Sequence, residues 1–167
     1  HIILPLIGRI GMLVNEEKLW IAHEHALSAI VKTHIYQSIY SLSSTRDAGV
    51  ERVGPSICIA TQEGDYHEFG ILLASLLLQS RGVNTHFFGC NMPAKSLADA
   101  ANAIGSSVVL VGRAIKMPVI LATGAALPQK AYLKELDQLL AAKTEIWLGG
   151  VIEQNALKFR ARRKVLH

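Results

Sequence analysis

Residues 56–70, SICIATQEGDYHEFG, are the stretch of this chain that decides the fold. The first part, Ser56 to Thr61, is mainly apolar and predicts a buried strand. The residues from Glu68 to Ser80 are helical in pattern, so His67 falls where a strand passes into a helix. In a parallel sheet such a loop lies at the carboxyl end of the strands, where α/β folds bind their ligands. The sequence therefore predicts an α/β fold with His67 at its ligand-binding edge.

Strand and helix patterns alternate through the rest of this region. The expected strands and helices, in chain order, cover residues 56–61, 68–80, 84–89, 94–104, 107–112, 130–142 and 145–148. Apolar strands that alternate with helices predict a parallel, doubly wound sheet covered on both faces, which is a Rossmann-like α/β fold. Val165 and Leu166 fit the start of one more strand. Residues 113–129 fit either a short strand or a lid, and the pattern does not decide between them.

The amino-terminal part of the chain is helical in pattern. It covers residues 2–43, with a break near Val14-Asn15-Glu16 and a second helix expected from about Leu19 to Ser41. The polar residues that follow read as a linker. We therefore expect a helical cap at 1–45, a linker at 46–55 and the Rossmann-like domain at 56–167. The cap fits part of a helix bundle.

Length, composition and charge exclude several classes of protein. The 167 residues are 50% hydrophobic and 18% charged, which fits a packed, soluble α/β domain with a smaller helical piece. The apolar run at 71–78 is far shorter than the ~20 residues that cross a bilayer, so no membrane role is expected. Two cysteines make no disulfide framework, which indicates a reducing cytoplasm. The net charge of +4 is modest for a nucleic-acid binder, so we expect DNA contact only through a region absent from this chain.

The residue types around His67 fit a metal-ligating loop. The carboxylate of Asp65, two residues earlier, can hold one imidazole nitrogen and make the other a better metal donor. Gly70 would let a bulky ligand approach the backbone closely. The alternative is a surface histidine near the start of a helix, and the local pattern alone favours neither.

Glu24 and His25 form a second group of interest. Glu24 falls on the apolar stripe of the second helix, between Trp20 and Leu27, where an unpaired carboxylate is costly. Small alanine residues flank His25 and leave room for a large ligand. We expect this pair to face a ligand between the helical piece and the sheet. The alternative is that Glu24 pairs with a nearby lysine or turns outward.

A helix that bears Glu-His, then a linker and an α/β domain with Asp-x-His-x-x-Gly, resembles a known module. It is similar to the cobalamin-binding module of the light- and B12-responsive transcriptional regulators related to CarH, over nearly the whole chain. The resemblance implies that a helical bundle caps the upper face of the corrin. It also implies that the Rossmann-like domain holds the lower face and the nucleotide tail of cobalamin.

The resemblance implies roles for single residues. His67 would be the lower axial cobalt ligand with Asp65 as its partner. Glu24 and His25 would lie at the upper face, with His25 a candidate upper axial ligand. Two glycines after the fourth strand match the double glycine beside which the nucleotide tail lies, namely Gly149 and Gly150.

The chain departs from the family pattern in three places. Val14 stands where the family has a capping tryptophan, with Trp20 nearby but six residues away, and Asn15 stands where light-sensing members have a histidine. These two departures put an adenosyl upper ligand and the light response in doubt, so adenosyl, methyl and hydroxo remain open. Gly112 stands where the family has a serine. The nucleotide tail would then be held differently, with Ser106, Ser107 and Thr123 as candidates.

The sequence thus predicts a cobalamin-binding sensory domain of a transcriptional regulator, a homo-oligomer and not itself an enzyme. The alternative from another class is a corrinoid methyl carrier that works with separate methyltransferases. Such carriers typically follow the histidine with Asp-Ile-Gly-Lys, whereas this chain has Glu68-Phe69-Gly70-Ile71. A third alternative is a relative that has lost cobalamin and binds haem or another tetrapyrrole.

Overall fold

A computed structural model describes residues 3–44, 54–113, 128–150 and 165–166. The chain divides into two compact units, His1–Ala48 and Gly49–His167, and each is described by itself. The expected linker falls largely on residues 45–53, which lie outside the described ranges, as do residues 114–127 of the segment that fits a strand or a lid. No described helix is long and apolar enough to span a membrane.

The first unit consists of two helices, α1 (Ile3–Asn15) and α2 (Ile21–Ser44). The break expected near residue 14 is confirmed, because α1 ends at Asn15. Among the side chains described here, only Ile10 and Ile35 are buried apolar residues of this unit. Two helices bury little apolar surface, so large apolar side chains stay exposed along both of them: Leu6, Met12, Ile21, Leu27, Ile30, Tyr36 and Tyr40.

The second unit alternates strands and helices, as expected. The elements in chain order are β1 (Ser56–Gln62), α3 (Phe69–Ser80), β2 (Asn84–Met92), α4 (Ala94–Ile104), β3 (Val108–Arg113), α5 (Gln129–Leu139), β4 (Glu145–Gly150) and β5 (Val165–Leu166). The described strands form one sheet in the order β2-β1-β3-β4-β5, and every adjacent pair is parallel. The Rossmann-like, doubly wound parallel sheet is therefore confirmed.

Side chains of alternate strand residues build two cores, one on each face of the sheet. Cys58 and Ala60 of β1 face α4 and α5, in a core with Leu97, Tyr132 and Leu136. Ile57 and Ile59 face the other way and form a smaller core with Ile71 of α3 and Val108 of β3. Because helices cover both faces, β1 and β3 are buried on both sides, which explains their nearly continuous apolar pattern.

β2 is longer than its pattern predicts, and its extra residues are irregular. The expected end was Gly89, but the strand runs on to Met92. The β1–β2 register shifts after Ile59 and again after Ala60. Between the pairs Ala60–Gly89 and Gln62–Met92, β2 runs over three positions while β1 runs over two. Gly89 and Asn91 both have positive φ, 79° and 57°. Such bulges redirect a strand end, and this one lies beside the loop that carries His67.

Candidate functional site

The strand order reverses direction between β1 and β3, and this point defines the site. The chain runs outward from β1 to β2 on one side and from β3 to β4 on the other. The loops after β1 and β3 therefore diverge at the carboxyl edge and leave a crevice, the usual ligand site of open α/β sheets. Residues 63–68 join β1 to α3 and follow β1 at this edge. His67 thus lies at the place where the sequence predicted it.

Asp65 and His67 form an oriented pair within this loop. The Nδ1 atom of His67 lies 2.9 Å from Oδ1 of Asp65, and the backbone N–H of His67 donates to the same oxygen at 2.9 Å. The carboxylate is nearly covered, with 10% of the Asp65 side chain exposed, whereas 53% of the His67 side chain is exposed. With Nδ1–H donating to Asp65, Nε2 is left with its lone pair as the nitrogen free to bind a ligand.

A tight turn precedes this pair and is supported by residues that sequence reasoning missed. Asp65 N–H donates to the carbonyl of Gln62 at 3.0 Å, and Gly64 between them has φ 84°. The carbonyl of Asp65 accepts from the hydroxyl of Thr61 and from the backbone N–H of Asn91. Thr61 and Asn91 were not singled out, since Thr61 reads as a strand residue and Asn91 reaches the turn only through the fold.

Gly70 lies in the first turn of α3 and is exposed. A Cβ atom added at Gly70 would meet nothing within 4 Å. The helix surface three residues beyond His67 is thus open, which fits the expected close approach of a bulky ligand.

Gly149 and Gly150 end β4 at the same edge of the sheet. Gly150 has φ 88°, and a Cβ atom there would overlap the carbonyl oxygen of Arg113. Only glycine fits this position, because both the backbone conformation and the neighbouring strand exclude a side chain. Gly149 pairs with Gly112 across β3 and β4, and a Cβ atom at Gly149 would make only an ordinary contact with Leu110.

Close packing leaves no space for a side chain at Gly112. A Cβ atom at this position would overlap Cγ2 of Ile71, and Ile71 is 3% exposed in the core under α3. The side chain of Ile71 therefore fills the space into which a serine at position 112 would project.

Two alternative contacts for the nucleotide tail are wrong. Ser106 and Ser107 precede β3, so they lie at the amino edge of the parallel sheet, opposite the His67 loop. Ser106 is 1% exposed, and its hydroxyl forms a hydrogen bond with the thiol of Cys58 at 2.9 Å. The backbone of Ser107 joins Ser56 and Glu145 at the starts of their strands. Thr123 lies outside the described residues.

Glu24 and His25 form a second oriented pair, on α2 of the helical unit. One carboxylate oxygen of Glu24 lies 2.7 Å from Nδ1 of His25, and the other accepts from the hydroxyl of Ser28 at 2.6 Å. Glu24 is therefore satisfied by these two neighbours and not by a lysine. The His25 side chain is 75% exposed, so its Nε2 atom faces solvent in this unit.

The apolar stripe expected from Trp20 along the second helix is only partly buried in the helical unit. Trp20 precedes α2 and is 74% exposed, and its ring stacks on His23 with centroids 5.5 Å apart. Leu27 is exposed too, since α1 covers only the face of α2 that carries Ile35. Val14 is half-buried near the end of α1. The structure thus brings together Asp65 with His67, and Glu24 with His25, in two separate units.

The class that fold and site define is a Rossmann-like domain with a carboxylate-held histidine at its switch point. No model of a known protein family matches the chain. Among curated proteins, the HTH-type transcriptional repressor CarA of Myxococcus xanthus is 30% identical over 107 residues, 64% of this chain and 33% of CarA. The HTH-type transcriptional repressor CarH of the same organism is 28% identical over 150 residues, 90% of this chain and 46% of CarH. The expected relationship with the regulators related to CarH is confirmed, although the chain spans less than half of either repressor.

Corrinoid proteins form a second group of relatives. Dimethylamine corrinoid protein 1 of Methanosarcina mazei is 27% identical over 107 residues, which are 61% of this chain and 46% of that protein. The structure of the monomethylamine corrinoid protein of Methanosarcina barkeri superimposes with a TM-score of 0.60 over 96% of this chain and 72% of that chain. Its sequence identity of 16% means that this likeness concerns the fold alone.

Proposed function

We propose that this chain is a cobalamin-binding sensory domain of a transcriptional regulator, with His67 as the lower axial cobalt ligand. The observation that carries the proposal is the Asp65–His67 pair at the switch point of the sheet, with Nδ1 held at 2.9 Å and the ring half exposed. The relationship with CarA and CarH supports it, because it extends over most of the chain.

The residues at this edge fit cobalamin in their donor chemistry. The described residues contain no group of three or more His, Cys, Asp or Glu side chains that could hold a bare metal ion. A corrin already supplies four nitrogen ligands, so the protein needs to supply only one axial donor, and His67 provides it. The open surface over Gly70 leaves space for the edge of a large planar ring.

Each residue at this edge has a separate task in the proposal. Asp65 accepts a hydrogen bond from Nδ1–H, which fixes the tautomer of His67 and leaves Nε2 as the donor to cobalt. Gly149 and Gly150 keep the end of β4 free of side chains for the nucleotide tail, and Gly112 lies beside them on β3. Bound cobalamin supplies a cobalt centre whose upper ligand can be exchanged or lost, and this change is the signal.

Glu24 and His25 are proposed to act at the upper face of the corrin. Since Glu24 holds Nδ1 of His25 and leaves Nε2 exposed, this histidine has the same donor form as His67. With Val14 in place of the family's tryptophan, we propose an upper ligand smaller than adenosyl, either methyl or hydroxo, unless Trp20 supplies the cap. The state of this ligand would change packing within a homo-oligomer and thereby DNA binding by another region.

The proposal is tested by identifying the lower ligand of bound cobalt. Protein labelled with heavy-nitrogen histidine is loaded with cobalamin, the cobalt is reduced to the paramagnetic divalent state, and the electron paramagnetic resonance spectrum is recorded. Coupling to a heavy-nitrogen nucleus would identify a protein histidine, because the benzimidazole base of cobalamin carries no label. Both proteins carry His25→Ala, so that His25 cannot supply the coupling. We expect the coupling when His67 is present and its loss in His67→Ala, with binding weakened about tenfold or more.

A matched control is His34→Ala, which removes an exposed histidine from α2. This variant should keep both the coupling and the affinity. Binding with the coupling unchanged in His67→Ala would contradict the assignment of His67. Absence of binding to any cobalamin by the unaltered chain would contradict the proposed function itself.

The second candidate is a corrinoid methyl carrier, which the similarity to dimethylamine corrinoid protein 1 favours. The two functions differ in what removes the upper ligand. A sensor keeps a methyl group until light or a change in ligand removes it, whereas a carrier loses it to an acceptor presented by a methyltransferase. Absorption spectra of the methylcobalamin complex before and after green light, and with and without a corrinoid-dependent methyltransferase, distinguish the two.

A further inference from the structure

Asn91 attaches the turn before His67 to the end of the neighbouring strand, β2. The backbone N–H of Asn91 donates to the carbonyl of Asp65 at 3.0 Å and to the hydroxyl of Thr61 at 2.9 Å. Its side-chain Oδ1 accepts from the backbone N–H of Gly64 at 2.8 Å. These three bonds join β2 to the turn and to the end of β1, across 26 to 30 positions of sequence.

Asparagine suits this position for two reasons. Asn91 has φ 57°, in the left-handed region that asparagine, aspartate and glycine enter with little strain. The β-bulge before it advances β2 by one residue relative to β1 and so brings Asn91 over the turn. Only a short side chain with an acceptor can then reach the N–H of Gly64.

Asn91 is linked to the imidazole ring of His67 by a series of contacts through the turn. Gly64 lies at the third position of the Gln62–Asp65 turn, with φ 84°, and its N–H is held by Asn91. The turn sets the direction of Asp65, and Asp65 holds His67 through both the backbone N–H and Nδ1. An exposed loop without this attachment would sample other conformations, and only a fraction of them would present Nε2 correctly.

On the basis of the proposed cobalt ligation by His67, we propose that Asn91 is a positioning residue for this histidine. It holds the turn in the one conformation in which Asp65 fixes the tautomer and direction of the imidazole ring. Asn91 itself contacts no ligand in this role.

The test is a double-mutant cycle of Asn91→Gly and His67→Ala, measured as affinity for methylcobalamin in the dark. Glycine retains the left-handed backbone conformation and removes only the side-chain acceptor. Loss of one hydrogen bond should weaken binding about fivefold when His67 is present. In the His67→Ala background, Asn91→Gly should cause no further loss of affinity for methylcobalamin, because the ring that Asn91 positions is absent.

Two further variants separate positioning from general stability. Asn91→Asp keeps an acceptor at the same place and should restore the amide-exchange protection of Gly64. Asn102→Ala removes an asparagine that bridges Leu139 and Ala141 at the opposite edge of the sheet, with bonds of 2.9 and 2.8 Å. It should lower thermal stability while leaving the affinity for methylcobalamin unchanged.

A measurement without cobalamin keeps this inference distinct from the proposed function. The nitrogen chemical shifts of His67 report its tautomer, and Asn91→Gly should shift the ring away from the form with the proton on Nδ1. If the unaltered chain binds no cobalamin, the proposed function fails. The positioning role of Asn91 is then tested by the tautomer of His67 alone. An unchanged tautomer in Asn91→Gly, or an equal fivefold loss in both backgrounds of the cycle, would overturn the positioning role.

Discussion

Two histidines of this chain, His67 and His25, are held by a carboxylate through the same ring nitrogen. In each case Nδ1 lies within hydrogen-bond distance of an acidic side chain close in sequence, at 2.9 Å for Asp65 and 2.7 Å for Glu24. The carboxylate fixes one tautomer, so the exposed Nε2 atom is a lone-pair donor without a reorientation step. At the residue scale, both rings are prepared for coordination, although they belong to different elements of the chain.

Tyr132 shows how a single buried hydroxyl stabilises the strand that carries Asn91. The ring is fully buried in α5 and its hydroxyl donates to the carbonyl of Met92, at 2.9 Å. Burial, and then the negative charges of Glu63 and Glu135, raise the pKa of this phenol above its usual value of 10.0. A raised pKa in the folded state means stability that is present below the unfolded-state pKa and is lost as pH rises above it.

We therefore predict that Tyr132→Phe lowers the free energy of unfolding by about 1 kcal/mol near neutral pH, because the carbonyl of Met92 loses its donor. The difference between the two proteins should shrink above about pH 10, where only the unaltered chain loses the contribution of the phenol. Urea denaturation at a series of pH values checks both statements. A difference that stays constant into the alkaline range would refute the linkage.

At the scale of elements, the close packing of β3 against α3 decides a feature of the site. Cγ2 of Ile71 occupies the position that a side chain at residue 112 would take. With Ile71 in this place, β3 can approach α3 at this point only with glycine at 112. Ile71 on α3 and Gly112 on β3 form one steric pair, so a change in either affects the other.

We predict that Gly112→Ser costs about 1 to 3 kcal/mol of stability by overpacking, and that Ile71→Leu relieves much of this cost. Leucine keeps the volume of isoleucine but moves the branch one carbon outward, away from residue 112. The two changes together should cost less than the sum of each alone, as measured by urea denaturation without cobalamin. Gly149→Ser, in register with Gly112 on β4 but with ordinary contacts only, is the matched control. Equal costs at 112 and 149, or strict additivity, would refute the steric pair.

At the scale of the whole molecule, strand order and unit division set what the site can do. The reversal between β1 and β3 opens the crevice at the carboxyl edge, and the His67 loop lies there because it follows β1. The helical unit carries the second histidine pair and many exposed apolar side chains on its two helices. The two histidine pairs that the proposed function uses therefore belong to different units.

We predict that the aquocobalamin complex has two nitrogen axial ligands, His67 and His25, because both rings expose Nε2. The absorption spectrum should therefore differ between the unaltered chain and His25→Ala, which retains one nitrogen ligand and water. His34→Ala, on the same helix, should leave the spectrum unchanged. Identical spectra for the unaltered chain and His25→Ala would show that His25 is not a cobalt ligand.

Sequence alone was sufficient where the determining interactions are local. Hydrophobic periodicity placed the strands and helices of the second unit, since each pattern reflects the two covered faces of the sheet. The Asp65–His67 pair was predicted as well, because the two residues are separated by one position. On α2 the apolar stripe is buried at Ile35 but exposed at Trp20 and Leu27, since burial depends on which neighbours a helix has.

Only the tertiary structure decided the contacts between residues distant in sequence. Asn91 reaches Gly64 across 27 positions because a bulge in β2 turns its side chain toward the loop. Ile71 meets Gly112 because the crossover of the parallel sheet brings α3 over β3. Ser106 and Ser107 are excluded from the site because strand direction places them at the opposite edge. A chain's periodicity records which residues are buried and not which residues meet, so these pairings follow from strand order, direction and register.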